Sequence, residues 1–221
     1  MTVKDVFDLR KQGKIEEAYE AIRPMYAVHK GKYTTLCMFW TANDILKKRV
    51  SESRIDEAEL IFKALWRILP YMEDTGGRAF RSLLHKAVLL ANNSKTFSIL
   101  DFIGQTDLSR LNDDDWISMP LVPTAEAEDT PPYLIGPLLL RCAFNEIENL
   151  PTVENALKAM PLLQEAIRRD PWEKSNQHYL AVNYRIMGER NKAVAIYQRL
   201  LERYDEEWIH ARLSELTDDF E

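Results

Sequence analysis

The sequence predicts an all-α fold built from antiparallel helix hairpins, and three observations predict it. Glycine is scarce, at 7 of 221 residues, and five of the 10 prolines fall between Pro120 and Pro137, so most of the chain lacks the punctuation of strands and tight turns. Apolar residues recur at helical rather than alternating spacing. A segment near the C-terminus repeats after 34 residues, and a period of that length marks stacked supersecondary units.

At the N-terminus, Leu9, Gly13, Ala18 and Ile22 set a turn glycine five residues ahead of a small alanine. An overlong helix is expected from about Lys32 to Arg49. The next runs from Arg54 to Leu65, with Ala58, Phe62 and Leu65 on one face, and closes at Leu69-Pro70. From Gly77 to Asn93 an apolar stripe passes through Phe80, Leu83, Leu84, Ala87, Val88 and Ala91, and a shorter helix from Lys95 to Ile103 makes a pair with it.

No helical period survives between 112 and 137, where Asn112-Asp113-Asp114-Asp115-Trp116 leads into a proline- and acid-rich run. Unstructured stretches longer than about 12 to 15 residues inside a compact domain are usually functional or disordered. Two readings stay open: a surface connection kept extended by its prolines and pinned by Trp116 and Tyr133, or a segment that fills a groove until a partner arrives. The expected organisation is one continuous domain, with helical hairpins over 1–111, the irregular loop over 112–137, and repeats with an end helix over 138–221.

The repeat aligns Asn155–Ala166 with Glu189–Leu200, matching Ala159 to Ala193, Leu163 to Tyr197 and Ala166 to Leu200. Upstream of the second copy, Leu180, Ala181 and Tyr184 form a stripe that stops at Gly188, where a left-handed cap lets the chain reverse. The earlier copy, about 140–173, keeps Ala159, Ala166 and Asp170-Pro171 but has Ile147 at the small position and Glu154 in place of the turn glycine. Pro161 lies inside its second helix, and a break is expected near Met160.

Leu180, Tyr184, Gly188, Ala193 and Tyr197 resemble the tetratricopeptide repeat pattern, with Ala181 where that family prefers glycine and Asp205 where it prefers proline. A lone helix hairpin cannot bury its apolar face, so neighbours must stack, and about three repeats are needed for stability. The resemblance implies a right-handed superhelix whose concave groove, lined by the first helix of each pair, holds an extended peptide or partner helix. The family's groove positions fall on Ser175, His178, Val182 and Arg185 in the best repeat, on Arg141, Phe144 and Glu148 in the degenerate one, and most loosely on Asn43 and Lys47. The lysines and asparagines of the family's clamp for a terminal carboxylate are absent from His178 and Val182, which leaves Arg185 as a weak anion site.

Composition narrows the function classes. With 46% hydrophobic and 29% charged residues the chain is globular, and its longest apolar run, Ala87–Ala91, is far short of the roughly 20 residues of a membrane span. Acids at Asp5 and Asp8 do not fit an export signal, so a cytoplasmic location is expected. Residues 1–100 carry 17 Lys and Arg against 12 Asp and Glu, net +5, and residues 101–221 carry 12 against 23, net −11. That balance is too acidic for a dedicated nucleic-acid binder.

Chemistry-bearing motifs are sparse. Cys37 and Cys142 read as buried free thiols, and Asp113–Asp115 lacks the alternation and glycine of a calcium loop. Glu207-Trp208-Ile209-His210 has the spacing of a di-iron helix but no second copy. His29, His85 and His178 show no partner in sequence, and Ser82 and Ser118 sit in no nucleophile elbow. The expectation is therefore a non-enzymatic scaffold for another protein or peptide, without catalytic residues, metal or cofactor. Two alternatives stand beside it: an RNA-binding surface using Lys47, Lys48, Arg49 and Arg54 with Trp40 or Trp66, and an enzyme whose residues converge only on folding.

Overall fold

A computed structural model of the chain describes residues 1–74, 77–116 and 135–217. Among them are eleven α-helices and no β-strand. No described helix is long and apolar enough to cross a membrane. The chain divides into two compact units, Met1–Phe97 and Ser98–Glu221.

The first unit contains α1 (Val3–Lys11), α2 (Ile15–Val28), α3 (Lys32–Ser51), α4 (Ile55–Ile68) and α5 (Arg78–Ala91). Each helix packs on its successor, and α3 also touches both α1 and α5, so the first helices of consecutive pairs meet. The second unit opens with the short α6 (Ile99–Ile103) and two 3₁₀ turns. It continues with α7 (Ile135–Asn149), α8 (Val153–Arg169), α9 (Lys174–Ile186), α10 (Arg190–Leu201) and α11 (Glu207–Thr217). From α7 to α11 each helix again packs on the next.

One turn recurs three times. Gly13, Ser53 and Gly188 all adopt left-handed φ, at 77°, 59° and 77°. The N–H of each donates to the carbonyl three residues back, and the next N–H reaches five back: Lys14 to Leu9, Arg54 to Arg49, and Glu189 to Tyr184, at 3.0, 2.8 and 2.8 Å. This pairing satisfies the last carbonyls of the outgoing helix and reverses the chain. Five residues beyond each turn stands an alanine of zero exposure, Ala18, Ala58 or Ala193, which lets the returning helix lie close. The middle copy was not legible as a turn because a serine fills the slot that glycine fills in the other two.

The degenerate repeat differs as its sequence implies. Between α7 and α8 there is no left-handed residue; Thr152 caps α8 by accepting from the Asn155 N–H at 3.2 Å, and the Asn155 side chain donates to the Leu150 carbonyl at 3.0 Å. Asn183, wholly buried on α9, donates to the Ala156 carbonyl at 2.7 Å and joins this repeat to the next.

Two expectations are corrected. The break near Met160 is absent, since α8 runs through Pro161 without interruption. Pro161 is exposed, and the carbonyl deprived of its N–H belongs to Leu157, 53% exposed, where water can satisfy it. The helix expected from Lys95 is only Ile99–Ile103. Ser94 Oγ instead accepts from the Thr96 and Phe97 N–H groups, each at 3.0 Å, and such local bonds compete with helix formation. The helix starts where Ser98 caps it and where Glu146 accepts from the Ile99 N–H at 2.8 Å.

Of the irregular loop, residues 117–134 lie outside the described residues, Tyr133 among them, and so does any placement of that stretch in a groove. Asp113–Trp116 form a 3₁₀ turn, and Trp116 is 5% exposed. Gly136 lies so close to its indole that a Cβ there would meet the ring at 2.5 Å, which explains the glycine in the first turn of α7. Cys37 and Cys142 are buried free thiols.

The turn geometry has a measurable consequence. No atom lies within 4 Å of a Cβ built on Gly188, so Gly188→Ala tests backbone strain alone, and it is expected to cost about 1 kcal/mol. Ser53→Gly is expected to stabilise by a similar amount. Paired thermal melts check both signs.

Candidate functional site

Helix α9 carries Ser175, His178, Val182 and Arg185, four of the residues expected to contact a partner. Its start is fixed by Glu173, whose side chain accepts from the Ser175 N–H at 3.2 Å, and the i, i+4, i+7 spacing then puts His178, Val182 and Arg185 on one face. That face opens into a cleft of 180 Å³. Glu148 enters it from the end of α7, Tyr197 from α10, and Arg212 and Glu215 from α11. Four sequence-predicted residues, Glu148, His178, Val182 and Arg185, therefore share one cavity.

His178 organises the floor. Its Nδ1 lies 2.8 Å from the Tyr197 hydroxyl, and its ring meets Trp208 edge-on at 5.4 Å and Phe144 at 5.6 Å. Phe144 in turn stacks on Tyr179 at 4.2 Å. Burial first, and then the charges of Arg212 and Arg185, push the imidazole down to about 4, while burial pushes the Tyr197 phenol up to about 12. At neutral pH both groups are uncharged. One hydrogen bond joins Nδ1 and the phenol oxygen, its direction set by which ring nitrogen carries the imidazole proton.

The rim is charged and balanced. Arg212 pairs with Glu215 at 2.8 Å, whereas Arg185 and Glu148 make no ion pair among the described residues. A cleft with an apolar wall at Val182, a neutral polar floor and two charges of opposite sign without ion pairs among the described residues can hold a side chain or peptide edge by shape and hydrogen bonding.

The other expected residues lie elsewhere. Ser175 is exposed in the first turn of α9, and Arg141 is exposed on α7; neither lines the cleft. Asn43 and Lys47 belong to the first unit, where Asn43 is 7% exposed and accepts from Ser82 Oγ at 2.9 Å, while Lys47 is exposed. Sequence reasoning missed Tyr197, Arg212 and Glu215 as site residues. A tyrosine in an otherwise apolar stripe was the available signal for the first; nothing local marks α11 as a wall.

The basic residues considered for phosphate contact are largely engaged. Arg49, at 9% side-chain exposure, donates to Glu16 at 2.7 Å and to Glu52 at 3.2 Å, and it lies 3.2 Å from Glu57. Lys48 reaches Glu16 at 3.1 Å, and Arg54 reaches Glu57 at 2.7 Å. The Arg49 hydrogen bond, ahead of that from Lys48, holds the Glu16 carboxyl down to about 2. Glu207 and His210 are exposed on α11, and His210 pairs with Asp205 at 2.8 Å. Among the described residues no group of three or more His, Cys, Asp or Glu could hold a metal ion.

Comparison with known proteins finds no matching family model, no matching curated protein and no matching solved structure.

Burial of a neutral histidine makes stability depend on pH. The folded value of His178 lies below its ordinary 6.5, so its contribution is complete above 6.5 and is lost as pH falls through about 4. Urea melts across that window are expected to show a steeper loss for the native chain than for His178→Gln. Equal slopes would mean that His178 is not buried in its neutral form.

Proposed function

We propose that the chain is a tetratricopeptide-like scaffold that binds a peptide or partner helix, with the α7–α9–α11 cleft as its inner face and no catalysis of its own. The hairpins would then continue as a right-handed superhelix, each pair adding a first helix to the concave side. The observation that carries this reading is that alternate helices, α7, α9 and α11, converge on a single cleft while α10 supplies only Tyr197 from behind. That is what nested hairpins produce when the first helices line one side. The repeated left-handed turn with its buried alanine supports the same reading from the backbone.

Within that reading each residue has a task. Arg185 and Glu148, without ion pairs among the described residues, set the polarity of the bound segment, as charged groups at a binding rim govern register more than raw affinity. Val182 offers apolar contact, and His178, held by Tyr197, presents a fixed neutral ring rather than a charge. At 180 Å³ the cleft admits a single anchoring side chain, with the remaining ligand lying along the rim.

Selection of a random peptide library on the immobilised protein, followed by fluorescence anisotropy on the winners, tests this directly. Arg185→Glu is expected to weaken a selected peptide by about tenfold or more, the usual worth of a charge-assisted contact. Lys47→Glu, in the other unit, is expected to leave it unchanged. Selected peptides that bind Arg185→Glu and the native chain equally well would refute this placement of the groove.

A further inference from the structure

A second cleft of 210 Å³ lies where the turn between α8 and α9 meets the end of α10. Trp172, Gln177, Arg199 and Arg203 surround it over a floor that includes Ile196 and Leu200. It shares none of the residues that line the α7–α9–α11 cleft.

Three side-chain bonds fix its wall. Asp170 accepts from the Trp172 N–H at 3.2 Å, Gln177 donates to the Pro171 carbonyl at 2.8 Å, and the Tyr204 hydroxyl donates to the Trp172 carbonyl at 3.1 Å. The turn is thus held on both of its central carbonyls, yet the indole it presents is 56% exposed. The Arg203 guanidinium lies over that indole, 4.5 Å from the ring centroid, and also over Tyr204 at 5.7 Å.

Charge pairing in this unit is incomplete, and around this cleft the gap falls on two neighbouring arginines. Arg168, Arg169, Lys174 and Arg212 each have a carboxylate partner, on Glu165, Glu165, Glu206 and Glu215. Arg199 and Arg203 have none among the described residues, although residues 101–221 carry a net charge of −11. Arg199 lies in the last turn of α10 and Arg203 two residues beyond its end at Leu201; both line the cleft, so their like charges repel across the same space. An anion between them relieves that repulsion and forms two charge-assisted hydrogen bonds.

We propose that this cleft docks a protein segment in which acidic residues flank a large apolar side chain. The apolar group lies against the Trp172 indole and the Ile196–Leu200 floor, and the carboxylates pair with Arg199 and Arg203. A cavity this small anchors one side chain rather than enclosing a whole small molecule, for which about 300 Å³ or more is usual. A long polyphosphate is disfavoured, because it would have to lie across a strongly acidic unit, whereas a short acidic segment need only reach two guanidinium groups. The proposal does not depend on the inner cleft being a groove.

The probe is acetyl-Glu-Asp-Phe-Asp-Glu-amide titrated into ¹⁵N-labelled full chain, with the Trp172 indole N–H identified by its disappearance in Trp172→Phe. A saturable shift of that resonance is expected. Affinity is expected to fall about tenfold or more for the amide counterpart acetyl-Gln-Asn-Phe-Asn-Gln-amide, and equally in Arg199→Glu/Arg203→Glu. Arg199→Gln, which leaves the Arg203–Trp172 contact in place, is expected to weaken binding by a smaller factor, and Arg185→Glu to leave it unchanged. The proposal is overturned by any of three results: no shift at millimolar peptide, equal affinity for the two peptides, or tighter binding of an oligouridine than of the acidic peptide.

Discussion

Ala18, Ala58 and Ala193, wholly buried where paired helices meet, decide how closely each hairpin can close, and the rest of the fold follows from that distance. A larger side chain at such a point would force the helices apart, because interiors are packed to crystalline density and extra methylenes cost about 1–3 kcal/mol. The left-handed residue five positions earlier has the complementary task. It turns the chain within two residues, so that the returning helix starts already in register with its alanine. Neither feature works alone: a close crossing needs a short turn, and a short turn needs a partner helix without bulk.

Polar groups then tie neighbours together in different ways in the two units. In the first, Arg49 gathers carboxylates from α2, from the end of α3 and from α4, so one guanidinium spans three successive helices. The carboxylates are partly exposed, which moderates their contribution through solvent screening. In the second, uncharged ties, from Asn183 to the Ala156 carbonyl and between His178 and the Tyr197 hydroxyl, stand beside ion pairs such as Lys158 on α8 with Asp101 on α6 at 2.7 Å. The cleft is floored by neutral polar groups and bounded by Arg185 and Glu148, and rim charges in general act mainly on encounter and orientation.

Much of this was written locally in the chain. Gly13 with Ala18 and Gly188 with Ala193 announce their hairpins, and the heptad-like spacing of His178, Val182 and Arg185 places them together because a helix needs no tertiary information to do so. What escaped was set by partners distant in sequence. Ser53 takes a left-handed φ of 59°, a conformation that its residue type does not announce. Pro161 breaks nothing because its side of α8 faces water, and the helix expected from Lys95 loses its first turn to hydroxyl bonds from Ser94 that also engage Glu59 on α4. Arg212 and Glu215 join the cleft only through the docking of α11 on α10, for which α11 itself carries no motif.

The dependence of everything else on alanine-mediated closeness can be measured by native-state hydrogen exchange on Ala193→Leu. Overpacking of about 1–3 kcal/mol at that crossing is expected to lower amide protection throughout α9, α10 and α11 by about 10- to 100-fold. Protection in those three helices equal to that of the native chain would show that the hairpin has room to spare at Ala193, and that its buried methyl does not set the packing from which the cleft is built.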